Sequence, residues 1–171
     1  PQYAVYNAAG EELTDLTVDD ATTNGSTTVN LELTTGNSYS VIFWAAAPNA
    51  PYTVDFATKT MTVDYTNAVS NDESRDAFFK HHTFTVSGAQ TETIELKRPF
   101  AQLNIGTADY AASTSAGYTP TQSSVTVPVY TTLNLASGAV DGQVTKTFAL
   151  ADIKKDEKFP VAGNEYLAMN Y

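Results

Sequence analysis

Apolar and polar residues alternate with period two along most of the chain. Val29, Leu31 and Leu33 alternate with Thr28, Asn30 and Glu32. Strict alternation marks a half-buried strand, because successive side chains of a strand point to opposite faces. A Thr-Gly-Asn turn follows at 35–37. The run from Tyr39 to Ala46 is apolar on both phases, with Val41 and Phe43 on one and Ile42 and Trp44 on the other. That pattern predicts a central strand. Ala47-Pro48-Asn49-Ala50-Pro51 breaks the ladder, because proline lacks the backbone donor. Val54/Phe56 and Met61/Val63/Tyr65 predict two short strands around Ala57-Thr58-Lys59.

Residues 67–80 carry the one predicted helix, of a turn or two. Asn71, Asp72 and Ser74 are available as caps, and Ala77-Phe78-Phe79 supplies an apolar face. Strands resume at Phe84/Val86, turn at Ser87-Gly88, and continue at Ile94/Leu96. After Arg98-Pro99 the apolar phase moves to Ala101, Leu103 and Ile105. A one-residue slip exchanges faces, so a bulge or a sheet-switching corner is expected at Pro99. Residues 106–124 are rich in Gly, Ala, Ser and Thr and read as a surface loop.

Val125, Val127 and Val129 begin a strand that continues to Leu133 and Leu135. Pro128 within it demands an edge or a bulge. Ser137-Gly138 and Asp141-Gly142 are turn signals. Val144, Phe148 and Leu150 form a further strand, and 152–158 is a charged connector to the last one, at 166–171. Nine to eleven short strands at close turn spacing predict a mainly β fold, an antiparallel β-sandwich in one domain over 1–171. Strand-like Gln2–Tyr6 and Tyr166–Tyr171 lie at the two ends. A piece of a longer precursor is therefore expected.

Composition narrows the function. Charged residues make up 16% of the chain, below the usual ~25%. Threonine supplies much of the remaining polarity, at about one residue in seven, a β-favouring bias. The formal net charge is -10, which repels phosphates and argues against nucleic acid or an anionic membrane as partner. The chain has no cysteine, which removes disulfides and thiolate chemistry. No apolar run is long enough for a transmembrane helix.

Candidate chemistry is sparse. His81 and His82 are adjacent, so on a strand they point to opposite faces and do not share a metal. Asp64, Asn67, Asn71, Asp72, Glu73 and Asp76 gather oxygen ligands that calcium could use, but they also suit capping and a solvated acidic loop. Gly-x-Ser-x-Gly and His-Glu-x-x-His are absent. Acidic pairs such as Glu11/Glu12 and Asp19/Asp20 fall in turn-like stretches. Asn24-Gly25-Ser26 matches a glycosylation acceptor and equally an Asn-Gly turn. Ten tyrosines and one tryptophan admit a glycan-stacking reading, against which Tyr3, Tyr39, Tyr65 and Trp44 fit core or cross-strand positions. The expectation is a non-enzymatic protein without a cofactor or a metal.

Residues 94–106 read Ile-Glu-Leu-Lys-Arg-Pro-Phe-Ala-Gln-Leu-Asn-Ile-Gly. Leu96, Arg98, Ala101 and Leu103, with Pro99 and Phe100 between, give the pattern L-x-R-x-x-A-x-[LIV]. This resembles the strand pair of Bacteroidales fimbrillin-like surface lipoproteins, nearest to those with a DUF6562-type domain and to the N-terminal domain of major fimbrial subunits. Gln2–Asn7, Tyr39–Ala45 and Asn164–Tyr171 extend the resemblance over the chain. It implies a transthyretin-like Greek-key sandwich with at most one or two short helices. It also implies export as a lipoprotein to the outer membrane or fimbrium of a Gram-negative cell, and a fimbrial or adhesive role. In such fimbrillins an arginine-directed cut removes a first strand, and a strand from a neighbouring pilin-like subunit fills the groove. The lipobox cysteine, that strand and the cut arginine would precede Pro1. Tyr3, Val5, Leu167 and Met169 are the corresponding groove candidates here. A host protein or a glycan is a further partner. A glycan-binding module is the alternative reading, and a small glycosidase a third.

Overall fold

The computed structural model describes residues 2–18 and 27–171. Asp19/Asp20 and Asn24-Gly25-Ser26 lie outside the described residues. Nine strands are described: β1 (Gln2–Asn7), β2 (Ser38–Ala46), β3 (Tyr52–Asp55), β4 (Thr60–Val63), β5 (Ala77–Thr85), β6 (Leu103–Thr107), β7 (Gln122–Asn134), β8 (Val140–Asp152) and β9 (Glu165–Asn170). One α-helix, α1 (Tyr110–Ser115), and two single 3-10 turns complete them. The strands form three antiparallel sheets, ordered β1-β2-β5, β3-β4-β7-β8 and β6-β9.

The first two sheets pack face to face, as the alternation predicts. Ala4 and Tyr6 of β1 and Ile42 and Trp44 of β2 meet Met61 of β4 and Leu133 of β7 in one buried cluster. Tyr6 donates its hydroxyl to the Phe56 carbonyl at 2.8 Å, so its one polar atom is satisfied inside the core. Because β2 is central and apolar on both phases, its other face must also be covered. Val5 and Val41 there are buried beneath Leu13, Leu16, Leu31 and Leu33. The small third sheet packs through Tyr166 and Met169 on Ile153 and Phe159.

Asn71 joins the third sheet to the second. It is buried, with φ of 62°. Its side-chain oxygen accepts from Met169 N at 2.9 Å, and its Nδ2 donates to the Asp152 carbonyl at 2.9 Å and to Ser123 Oγ at 3.2 Å.

Three expectations need correction. The helix over 67–80 is a 3-10 turn at Glu73–Arg75, and Ala77-Phe78-Phe79 opens strand β5. The cap is real, since Asp72 accepts from Ser74 N at 2.9 Å. Pairing with β2, in which Phe79 opposes Trp44, overrides the local signal. Residues 106–124 are not one loop but hold the end of β6, α1 and the start of β7. Asp141-Gly142 sits inside β8, where Gly142 takes φ of 68° without ending the strand. The corner expected at Pro99 is present, since Lys97 bridges to Phe79 of β5 whereas β6, beginning at Leu103, pairs with β9 in another sheet, and a separate bulge lies between Ile105 and Gly106.

In β6, Leu103 and Ile105 are exposed while Asn104 is half-buried. This strand pairs with β9 alone among the described residues, and the face of that two-stranded sheet carrying Leu103 and Ile105 is exposed. Pro128 is accommodated as an edge residue. β4 reaches only Thr132–Asn134 of β7, so at Pro128 the strand has β8 as its single neighbour.

Candidate functional site

A groove of about 760 Å³ runs over the outer face of the β1-β2-β5 sheet. That volume lies within the range of ligand sites. Val41 and Phe43 of β2, Phe84 of β5 and Val86 form its floor. Alternation explains why these residues are available, since their neighbours Ile42 and Trp44 occupy the opposite face.

One wall comes from the segment before β2. Val29, Leu31 and Leu33 are half-buried there, and Asn30, Glu32 and Thr34 between them are exposed. The other wall follows β5 and includes Gln90, Glu92 and Ile94. Both walls carry the period-two burial of strands, yet neither forms a regular ladder. Among the described residues, the backbone groups of 28–33 and of 91–96 have no backbone partners. The strands expected at 29–33 and 94–96 are therefore strand-like segments outside the ladders formed by the described residues.

The walls are held at defined points. Gly36 N donates to the Val86 carbonyl at 2.7 Å, and Val86 N to the Asn37 carbonyl at 3.0 Å, which joins the two walls at their bases. Thr34 N donates to the Tyr39 hydroxyl at 3.3 Å. Hydrogen bonding from the Asn37 side chain, opposed by burial and reinforced from Thr34, holds the Tyr39 hydroxyl below the ordinary phenol range. On the second wall, Glu92 lies 2.6 Å from Nε2 of His82, whose ring stacks on Phe84 at 5.7 Å. His81 points the other way, with Nδ1 at 3.0 Å from the Ala136 carbonyl. A backbone bridge between Phe79 and Lys97 closes the far end of this wall against β5.

The four strand-exchange candidates fall in two clusters. Tyr3 and Val5 belong to the apolar face under the groove, whereas Leu167 and Met169 belong to the third sheet. The strand edge is occupied at Tyr3, Val5 and Met169. Tyr3 exchanges backbone bonds with Val18, and Leu13 N donates to the Val5 carbonyl at 2.7 Å. Asn71 bonds both backbone groups of Met169.

The L-x-R-x-x-A-x-[LIV] residues build a clamp outside the groove. Arg98 donates from Nε and a terminal nitrogen to the two carboxylate oxygens of Asp76, each at 2.7 Å. Its guanidinium lies over the rings of Phe78 and Tyr171. The Asp76 hydrogen bond raises the Arg98 pKa further above its ordinary value. Phe100 stacks on Tyr52 at 5.3 Å, and Tyr52 meets Trp44 edge-on. Leu96 and Pro99 are half-buried, and Ala101 and Leu103 exposed.

The oxygen-rich stretch at 64–76 is engaged internally. Asp64 accepts from Thr66 N at 2.8 Å, Asp72 caps the 3-10 turn, and Asp76 holds Arg98. Among the described residues no three His, Asp or Glu side chains converge as a metal site. No described helix is long and apolar enough to cross a membrane.

The groove residues missed by sequence reasoning left one signal, the double apolar phase of 39–46. A strand apolar on both faces needs a covering layer on each. The identity of that layer involves segments more than fifty residues apart. No curated protein and no solved structure matches the chain. A family model described as a family of unknown function, DUF6562, matches residues 2–171. Since the match spans nearly the whole chain, the protein belongs to the DUF6562 family.

Proposed function

We propose that this protein is a non-catalytic surface module that accepts an extended strand from another polypeptide, in a fimbrial or adhesive assembly. The observation that carries this reading is the groove between two strand-like segments whose backbone groups have no backbone partners among the described residues. An inserted strand would supply those partners, each bond being worth about 0.5–1.5 kcal/mol net. Its inward side chains would lie on Val41, Phe43 and Phe84, where apolar burial adds about 25 cal/mol per Å². This is strand addition, with affinity from the backbone and specificity from alternate side chains. The acceptor is the groove of 29–35 and 88–94 rather than the edges of β1 and β9. Export to the cell surface as a lipoprotein is part of the same proposal and rests on the resemblance at 94–106.

The glycan-binding reading has less support. Tyr6, Tyr39, Trp44 and Tyr166 are buried, which removes them as stacking platforms. Tyr118 and Tyr130 are well exposed but belong to different segments.

The test is an array of ten-residue peptides with alternating apolar residues, set against peptides of equal composition with the alternation broken. Alternating peptides should bind preferentially and should slow backbone amide exchange at 28–33 and 91–96. Equal binding of both sets, or binding that leaves those amides unprotected, would refute the proposal.

A further inference from the structure

We infer that the groove selects a basic strand, one whose alternating apolar residues are interleaved with Lys or Arg. This rests on the reading of the groove as a strand acceptor. The groove lining contains two charged side chains, Glu32 and Glu92, one on each wall and both acidic. Glu32 is exposed and lies between Leu31 and Leu33, so it projects away from the floor. Among the described residues it has no ion-pair partner. A strand hydrogen-bonded to this wall would set its own outward side chains beside Glu32, at the spacing where opposite charges attract and like charges repel.

Glu92 sits on the inward phase of its wall, two residues before Ile94, and contacts His82. Lys80 lies two positions from His82 on the same face of β5, opposite Phe43, but does not line the groove. The net charge of -10 adds a long-range field that draws cations and opposes a second copy of this chain. The occupant that fits is therefore a basic, alternating segment of a different polypeptide. At about 3.3 Å per residue, walls running from 29 to 35 and from 88 to 94 accommodate roughly seven residues of it.

Two ten-residue probe peptides test this, identical in their Val and Leu positions and carrying Lys or Glu at the outward ones. Affinity is read by fluorescence anisotropy at 20 mM and 500 mM NaCl, with amide exchange as the positional readout. The Lys peptide should bind about tenfold tighter at low salt. That advantage should shrink below about threefold at high salt, where screening shortens the reach of the charges. Glu32→Gln, on an exposed side chain, should lower the low-salt advantage about twofold to fourfold without altering which amides are protected. Equal affinities with the groove amides protected in both cases would overturn the charge selection and leave the strand-acceptor reading standing. A Lys advantage without groove protection, or one unaffected by Glu32→Gln, would also overturn it. Binding by neither peptide would remove the acceptor reading itself.

Discussion

Asn71 offers the sharpest test of how the sheets are joined. Its side chain bridges residues 52, 81 and 98 positions away in sequence. Replacing it with alanine leaves the buried Met169 N–H without its acceptor, which costs about 2 kcal/mol. Loss of the Nδ2 bonds to Asp152 and Ser123 costs about 1 kcal/mol more. The left-handed φ of 62° adds about 1 kcal/mol for alanine, since a Cβ is disfavoured there and asparagine tolerates it. Asn71→Ala should therefore destabilise by about 4 kcal/mol, or a drop in Tm of roughly 8–16 °C at this chain length. Asn71→Gly removes the conformational part and should cost about 3 kcal/mol. Asn71→Asp keeps an acceptor for Met169 N and should cost about 2 kcal/mol. Urea unfolding followed by Trp44 fluorescence measures all three, because that single tryptophan is 3% exposed and sits in the main core. If alanine costs less than about 1 kcal/mol, or alanine and aspartate cost the same, the Met169 bond does not join the sheets and the reasoning fails.

Three further outcomes are expected. A Cβ on Gly106 would lie 2.6–2.8 Å from the Phe159 ring, so Gly106→Ala should cost about 1–2 kcal/mol in urea unfolding; adding Phe159→Leu should recover part of it. Arg98→Lys loses the forked contact with Asp76 but keeps the charge at a half-exposed position, so it should cost less than about 1 kcal/mol, and a loss above twice that would make the clamp part of the core. Hydrogen bonds from Thr58 hold Asp55, and from Thr66 hold Asp64, below the usual carboxylate range. Their contribution is complete above the unfolded value of about 3.9 and is lost as pH falls through the depressed folded values. The urea midpoint should accordingly drop under strong acid, and less steeply in Asp55→Asn/Asp64→Asn. Glu157 has the opposite sign: the hydrogen bond and charge of Glu73 raise its pKa. Glu157→Gln should therefore raise the midpoint at pH 7 relative to wild type and leave it unchanged near pH 3.

The central strand was legible because its evidence is local. Tyr39–Ala46 carries two apolar phases, and β2 indeed lies between β1 and β5. The Thr-Gly-Asn turn was equally plain, with Gly36 at φ of 90°. Residues 77–79 misled because a genuine cap at Asp72 preceded an apolar triplet, and only the β2 register shows that the triplet belongs to a strand. Gly142 misled because a glycine that ends one strand can be tolerated inside another. Of the candidate site, the apolar alternation of 29–33 and of 94–96 was visible. That these stretches stand outside the ladders of the described residues was not, because ladder pairing depends on residues far away in sequence.

Alternation, turn residues and the double phase of β2 determined by themselves that this is an antiparallel β protein, since side-chain direction in a strand depends only on position. The net charge of -10 sets the sign of the long-range field. The tertiary structure decided which edges are occupied, with 11–18 against β1 and Asn71 against β9, and which segments stand apart as groove walls. Those choices depend on pairing between residues far apart in sequence, where closure entropy and shared burial act together. An alternating segment becomes a ladder strand or a groove wall according to what the fold brings beside it.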